Sequence, residues 1–205
     1  MNRLNKTDKT ALTDGLLRDN TVLSAGMVIS PVIICGNNVQ NSLAFAYAFS
    51  IITFFSVLIS SFVPKNLPYA VKIIIYALIS ALIFIPARLL TVEIYPECIE
   101  NIGLYFPLLA VNSLIIYQTE VKFFKMKKGR MISSLVFYIL GFDIVILLFG
   151  FLREIIGFGA VYNYVITMNR LISGATKPFG GFIILGLLCG IYRKIRDSIP
   201  EKSEV

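Results

Sequence analysis

Six apolar stretches, at roughly 21–36, 42–63, 69–90, 101–119, 131–152 and 179–195, fill most of this 205-residue chain. What lies between them is too short to fold as a separate soluble catalytic domain. About 20 apolar residues carry a straight helix across the hydrocarbon core of a bilayer. The second, third and fifth stretches reach that length, and the fourth and sixth come close. The first does not, because about 16 residues at 1.5 Å each give roughly 24 Å. Pro31 and Pro107 fall inside the first and fourth stretches, which predicts interrupted or half-length helices there. Only 15% of the residues are charged and the mean hydropathy is +0.79, whereas soluble domains carry about 25% charge. The expected solvent is therefore lipid, and the expected fold class is an all-α membrane protein with six transmembrane helices.

The charges set the expected topology. Basic residues gather in four blocks: Arg3, Lys6, Lys9 and Arg18; Lys65; Lys122, Lys125, Lys127, Lys128 and Arg130; and Arg193, Lys194, Arg196 and Lys202. The link at 91–100 holds Glu93, Glu97 and Glu100 and no base. Six crossings put every basic block on one side, so both termini are expected in the cytoplasm of a bacterial or archaeal plasma membrane. Residues 1–20 then form a cytoplasmic segment with an amphipathic turn near Leu12–Leu17, residues 21–195 a single membrane domain, and 196–205 a tail. The N-terminus is expected to be retained, because Cys35-Gly36-Asn37-Asn38, not a small-residue cleavage site, follows the first apolar run. The net charge of +7 is read as topological, since its residues are not interleaved with aromatics on one face, and no nucleic-acid partner is expected. Three scattered cysteines and no histidine make a self-contained zinc, haem or disulfide framework unexpected.

A weak internal repeat is visible. Ser30-Pro-Val-Ile-Ile-Cys-Gly-Asn37-Asn38 resembles Phe106-Pro-Leu-Leu-Ala-Val-Asn112-Ser113. Each string is apolar, broken by proline and ended by amides, and each opens a set of three segments, about 21–90 and 101–195. Three is odd, so the second set enters the membrane upside down: an inverted-topology 3+3 repeat. Interrupted segments at matching places in such a repeat point to a functional centre near the midplane.

Few side chains could carry chemistry. Asn37, Asn38, Gln40, Asn41 and Asn112 are placed either to cap broken helices or to line an ion path. Asp143 lies well inside the fifth segment, where a carboxylate is costly. It is either a cation or proton ligand or a protonated group bonded to a neighbouring helix. Arg153 and Glu154 fall near the end of that segment, as a local ion pair and interface anchor or in a gating or docking role. Arg88 is expected to end the third segment and reach the headgroups. In TKPFGGF at 176–182, the glycines are expected to permit close helix packing. No catalytic triad, metal-ligand spacing or phosphate-binding loop is present, so a stand-alone enzyme is disfavoured.

Five strings, in order over about residues 14–195, resemble the Rnf/Nqr family of membrane subunits. They are Asp14-Gly-Leu-Leu-Arg-Asp-Asn20, Pro31 with its apolar run, Pro107 to Ser113 leading to Glu120, Leu152-Arg-Glu-Ile-Ile-Gly157, and Pro178-Phe-Gly-Gly-Phe-Ile-Ile-Leu-Gly-Leu187. The first and last two are more similar to the E-type Rnf subunit, or its D-type Nqr counterpart, than to the sister A-type. The resemblance implies a six-helix inverted repeat embedded in membrane lipid. It also implies a sister subunit of opposite orientation, within a redox-driven cation translocase of the ferredoxin:NAD or NADH:quinone type. In that setting this chain would be a non-catalytic subunit, supplying scaffold and ion path. Family members hold a [2Fe–2S] cluster between the sisters through two cysteines each. The matching positions here are Ser30 and Ser113, and a hydroxyl is a poor substitute for a thiolate. Tyr117-Gln-Thr-Glu120 likewise keeps only the acid of a Gly-Arg-Ala-Glu string. The expectation is therefore that this chain binds no cluster by itself. The alternative is a repurposed member, acting as a transporter or assembly component with no redox role.

Overall fold

The computed structural model describes residues 20, 22–23, 26, 29–64, 66–111, 119–120, 126–162, 164–165 and 172–198. Its helices are α1 Ile29–Cys35, α2 Val39–Ser60, α3 Tyr69–Ile94, α4 Pro96–Ile102, α5 Lys128–Phe158 and α6 Pro178–Ser198. Single 3-10 turns occupy Gly103–Tyr105, Pro107–Val111 and Ser173–Thr176. Among the described residues, four helices are long and apolar enough to span a bilayer: Val39–Ser60, Tyr69–Ile94, Lys128–Phe158 and Pro178–Asp197. They answer the second, third, fifth and sixth apolar stretches. The chain is thus an all-α membrane protein, with four span-length helices among the described residues.

The first and fourth stretches are not continuous helices. α1 has seven residues and stops at Cys35, with the Gly36 N–H returning to the Val32 carbonyl at 2.8 Å. The break lies at 36–38 and not at Pro31. Pro31 sits in the first turn of α1, where its missing N–H would have had no intrahelical partner anyway. Pro107 likewise opens a 3-10 turn instead of interrupting a helix. The acidic link at 91–100 is also shorter than expected. α3 runs on to Ile94, and α4 starts at Pro96 with Glu97 in its first turn, where an acid suits the helix dipole. Arg88 therefore sits within α3, six residues before its end, and is exposed.

α2 and α5 form the centre of the fold. They run antiparallel: the Ser50 hydroxyl donates to Asp143 Oδ2 at 2.7 Å, while Ser42 lies against Gly150. Between these contacts Phe49 stacks on Phe142, centroids 3.7 Å apart, with Phe45 tilted against the same ring at 6.2 Å. Phe45, Phe49, Ile52, Tyr138, Phe142, Ile146 and Phe149 are almost wholly buried. α3 packs against the other side of α2. Its outer face, with Leu78, Leu82, Ile85 and Leu89, is exposed, as are Phe182, Ile183, Leu187 and Ile191 of α6. In a membrane protein such faces meet lipid tails or neighbouring helices.

A two-stranded hairpin that apolar periodicity did not predict follows α5. Ala160–Val161 (β1) pairs antiparallel with Tyr164–Val165 (β2). Gly159 makes the exit from α5 possible, because it takes the left-handed conformation at φ 67°.

A second polar contact ties the middle of the chain together. Glu120 accepts from the Tyr76 hydroxyl at 2.5 Å and pairs with Lys72 at 3.3 Å. Both partners of Glu120 stand on α3.

Candidate functional site: a helix break clamped by Arg153 and Glu154

The break between α1 and α2 exposes two sets of backbone groups that helices leave unpaired: carbonyls at the end of α1 and N–H groups at the start of α2. In lipid such groups must find protein partners. Some come from nearby. Asn38 has an extended backbone and its side chain accepts from the Asn41 N–H at 2.7 Å, an N-cap for α2. Asn37 Oδ1 accepts from Asn41 Nδ2 at 2.8 Å, and the Ser42 hydroxyl donates to the Asn38 carbonyl at 2.7 Å. So Asn37 and Asn38 close the break locally.

Further partners come from α5. Arg153 is 1% exposed and Glu154 7% exposed, although both are charged. The Arg153 guanidinium donates to five backbone carbonyls. Two belong to the end of α1, Ile33 and Gly36 (3.1 Å for the latter). Three belong to the turn before α6: Ala175 at 3.0 Å, Thr176 at 3.0 Å and Lys177 at 3.3 Å. Glu154 faces the opposite polarity. Its Oε2 accepts from the Val39 N–H at 2.7 Å, the first residue of α2, and its Oε1 accepts from the Tyr162 N–H at 2.8 Å. A cation therefore meets a helix carboxyl end and an anion meets a helix amino end, the favourable pairing in each case. The two side chains bond to different backbone ends, so the local ion pair considered for them is not what forms.

Glycines make the approach possible. A Cβ on Gly181 would lie 2.9 Å from Ile33 Cγ2 and 3.2 Å from the Arg153 guanidinium carbon. A Cβ on Gly150 would strike the Ser42 hydroxyl and sit 2.9 Å from the Asn38 carbonyl. Three strings far apart in sequence (the Pro31 run, LREIIG and PFGG) thus converge on one junction.

Asp143 lies elsewhere, near the middle of α5. One oxygen takes the Ser50 hydroxyl, and Oδ1 has no hydrogen-bond partner among the described residues. Asn112 and Ser113 lie outside the described residues, as does Leu12–Leu17. Ser30 is exposed on α1. Cys35 is buried at the far end of the same helix, about 140° round from Ser30. Cys98 is buried on α4, Cys189 is on α6, and no group of three metal-ligating side chains forms among the described residues. These donors do not fit a cluster held by paired thiolates on the Ser30 pattern.

Sequence reasoning missed Asn20, which is 1% exposed. Its Nδ2 donates to the Gly141 carbonyl at 2.8 Å, and its Oδ1 accepts from the Val22 and Leu23 N–H groups at 3.0 and 3.1 Å. An asparagine just before an apolar run is a cap signal that could have found it. Lys72 and Tyr76 were missed for lack of any local signal.

Comparison with known proteins bears on this arrangement. The family described as "Rnf-Nqr subunit, membrane protein" matches residues 9–189. The chain is 26% identical to the E-type subunit of the ion-translocating oxidoreductase complex of Pseudomonas aeruginosa (strain LESB58), over 94% of this chain and 87% of that one. It is 24% identical to the D-type subunit of the Na(+)-translocating NADH-quinone reductase of Shewanella sp. (strain W3-18-1), over 96% and 95%. It is also 24% identical to the E-type subunit of the Na(+)-translocating ferredoxin:NAD(+) oxidoreductase complex of Acetobacterium woodii, over 88% and 93%. With the match running through the broken first segment, the Arg-Glu clamp and the glycines that admit it, the chain belongs to the Rnf-Nqr family of membrane subunits.

Proposed function

We propose that this chain is a membrane subunit of an ion-translocating electron-transport complex of Rnf or Nqr type, working as scaffold and ion path. The observation that carries the reading is near full-length similarity to E-type and D-type subunits of such complexes. The finer architecture is an inverted repeat, about 21–90 and 101–195, in the plasma membrane with both termini cytoplasmic and a sister subunit of opposite orientation. Three contacts support the repeat: α1 lies on α6, the Pro107–Val111 turn lies on α3, and α2 pairs with α5.

The test of function is gentle solubilisation of native membranes and affinity capture of this chain. The expected result is recovery of other membrane subunits together with flavin- or iron-bearing partners. Recovery of the chain alone would favour the second reading, a repurposed transporter or assembly component. That reading draws its support from serine at the family's cysteine position, Ser30.

For the ion path, Asp143 is the group we assign, since one of its oxygens stays open at the centre of the α2–α5 pair. Asn37 and Asn38 are taken up in closing the break, which leaves Asn112 as the further candidate, from the second half. Asp143→Asn is expected to lower cation-coupled turnover of the complex at least tenfold while leaving membrane insertion unchanged. Vesicle uptake of sodium-22 and a protonophore-sensitive pH signal check this. Wild-type coupling in the variant would reduce Asp143 to a packing role.

A further inference from the structure

In transporters with broken helices, carbonyl-rich helix ends at the break commonly hold a mobile cation, and amino ends hold an anionic substrate group. Here groups at both ends are bonded by charged side chains of the chain itself. We propose that Arg153 and Glu154 are tethered counter-ions of the first helix break, so that this break is an ion site permanently occupied by the protein's own side chains. It therefore admits no exchangeable ion.

Three observations carry this. Five carbonyl oxygens, from Ile33, Gly36, Ala175, Thr176 and Lys177, converge on one guanidinium and use all three of its nitrogens. The Val39 N–H at the amino end of the 22-residue α2 is bonded to the Glu154 carboxylate. The junction is also tight: Gly36 abuts Phe149, Gly181 abuts both Ile33 and Arg153, and Gly150 abuts Ser42. A guanidinium differs from a bare ion in one respect that matters here. It cannot leave, and its planar fork satisfies several acceptors at fixed angles. The inference concerns the break itself and stands whichever complex the chain serves.

The experiment removes the tethered cation and offers a free one. In the purified full-length Arg153→Gly chain, the thermal midpoint is measured against added guanidinium, sodium, potassium and tetramethylammonium chlorides at matched ionic strength, in the low millimolar range. The expected result is a midpoint at least 10 °C below the unmodified chain, of which guanidinium restores half or more, saturably, and tetramethylammonium none. Absence of any saturable, size-selective rescue would overturn the proposal. Because this variant can fail to accumulate, a second measurement uses the unmodified chain. Amide hydrogen exchange over residues 33–41 is followed by mass spectrometry in sodium, potassium, lithium and choline chlorides. Equal rates in all four support a permanently filled site. A tenfold or larger slowing by one cation would show an exchangeable ion at the break and sink the idea.

Discussion

Arg153→Met is expected to destabilise the folded chain by on the order of 4 kcal/mol, enough to remove most of it from the membrane at steady state. The substitution keeps much of the side-chain volume, so the loss is electrostatic. Five carbonyls lose a charged donor at once. A hydrogen bond to a charged group contributes about 1.5–3 kcal/mol, and a stranded buried acceptor costs about 1–3 kcal/mol. Full addition overshoots, because the 173–177 turn can relax towards α6 and neighbouring carbonyls share one loss. The Ile33 and Gly36 carbonyls have less freedom, since Gly36 is pinned beside Phe149. Arg153→Lys is expected to recover less than half, because an ammonium offers three donors from one point where the cradle needs a plane. Glu154→Gln is expected to cost less, about 1–2 kcal/mol, as an amide oxygen can still serve one of the two N–H groups it now holds. Reversible unfolding of the detergent-solubilised chain, read by circular dichroism, checks the order Met, Lys, Gln. A Met variant as stable as the unmodified chain would remove the clamp from the account of the fold.

Gly180→Ala is the second large effect, and its sign runs against propensity. In a helix interior alanine is normally preferred to glycine by about 0.5–1 kcal/mol. At Gly180 the added methyl would overlap the Gly174 carbonyl oxygen and stand 2.8 Å from Ala175 Cα. Both obstacles are backbone atoms, so no side-chain rotation relieves them. The turn they belong to also presents the Ala175, Thr176 and Lys177 carbonyls to Arg153. Pushing it away lengthens those bonds as well. Overpacking costs about 1–3 kcal/mol at ordinary core sites, and the upper end, about 3 kcal/mol, is expected here. Gly186→Ala on the same helix is the control. Nothing lies within 4 Å of its added methyl, so that variant is expected to be neutral or slightly more stable. Equal midpoints for the two variants would mean that the close approach does not matter.

Much of this architecture could be read from the residues because it follows from hydropathy alone. α2, α3, α5 and α6 begin and end within a few residues of the apolar stretches that announce them. The interruption of the first stretch was also legible, but its place was not. Proline drew the eye to residue 31, whereas the chain turns at Gly36-Asn37-Asn38, where a glycine and two capping amides can take up the irregular backbone. The roles of Arg153 and Glu154 were hidden for a different reason. Sequence places them side by side and suggests a mutual pair, but successive helix positions do not face each other. Their partners lie about 120 residues upstream and between 8 and 24 residues downstream, and the distant ones are brought in only by the folded chain. Asp143 stood out because charge inside an apolar run is rare. Asn20 did not, because one amide at the edge of a charged segment looks ordinary until it is found against Gly141.

The order of chain synthesis gives the Arg153 junction a further meaning. α1 is the first described helix to leave the ribosome, yet the side chain that neutralises its carboxyl end is made more than a hundred residues later. The turn that completes the same cradle, 175–177, comes later still. Contacts so distant along the polymer form slowly and late. The first described helix is therefore the last to be finished, and a nascent chain halted before residue 177 lacks carbonyls that complete the Arg153 cradle.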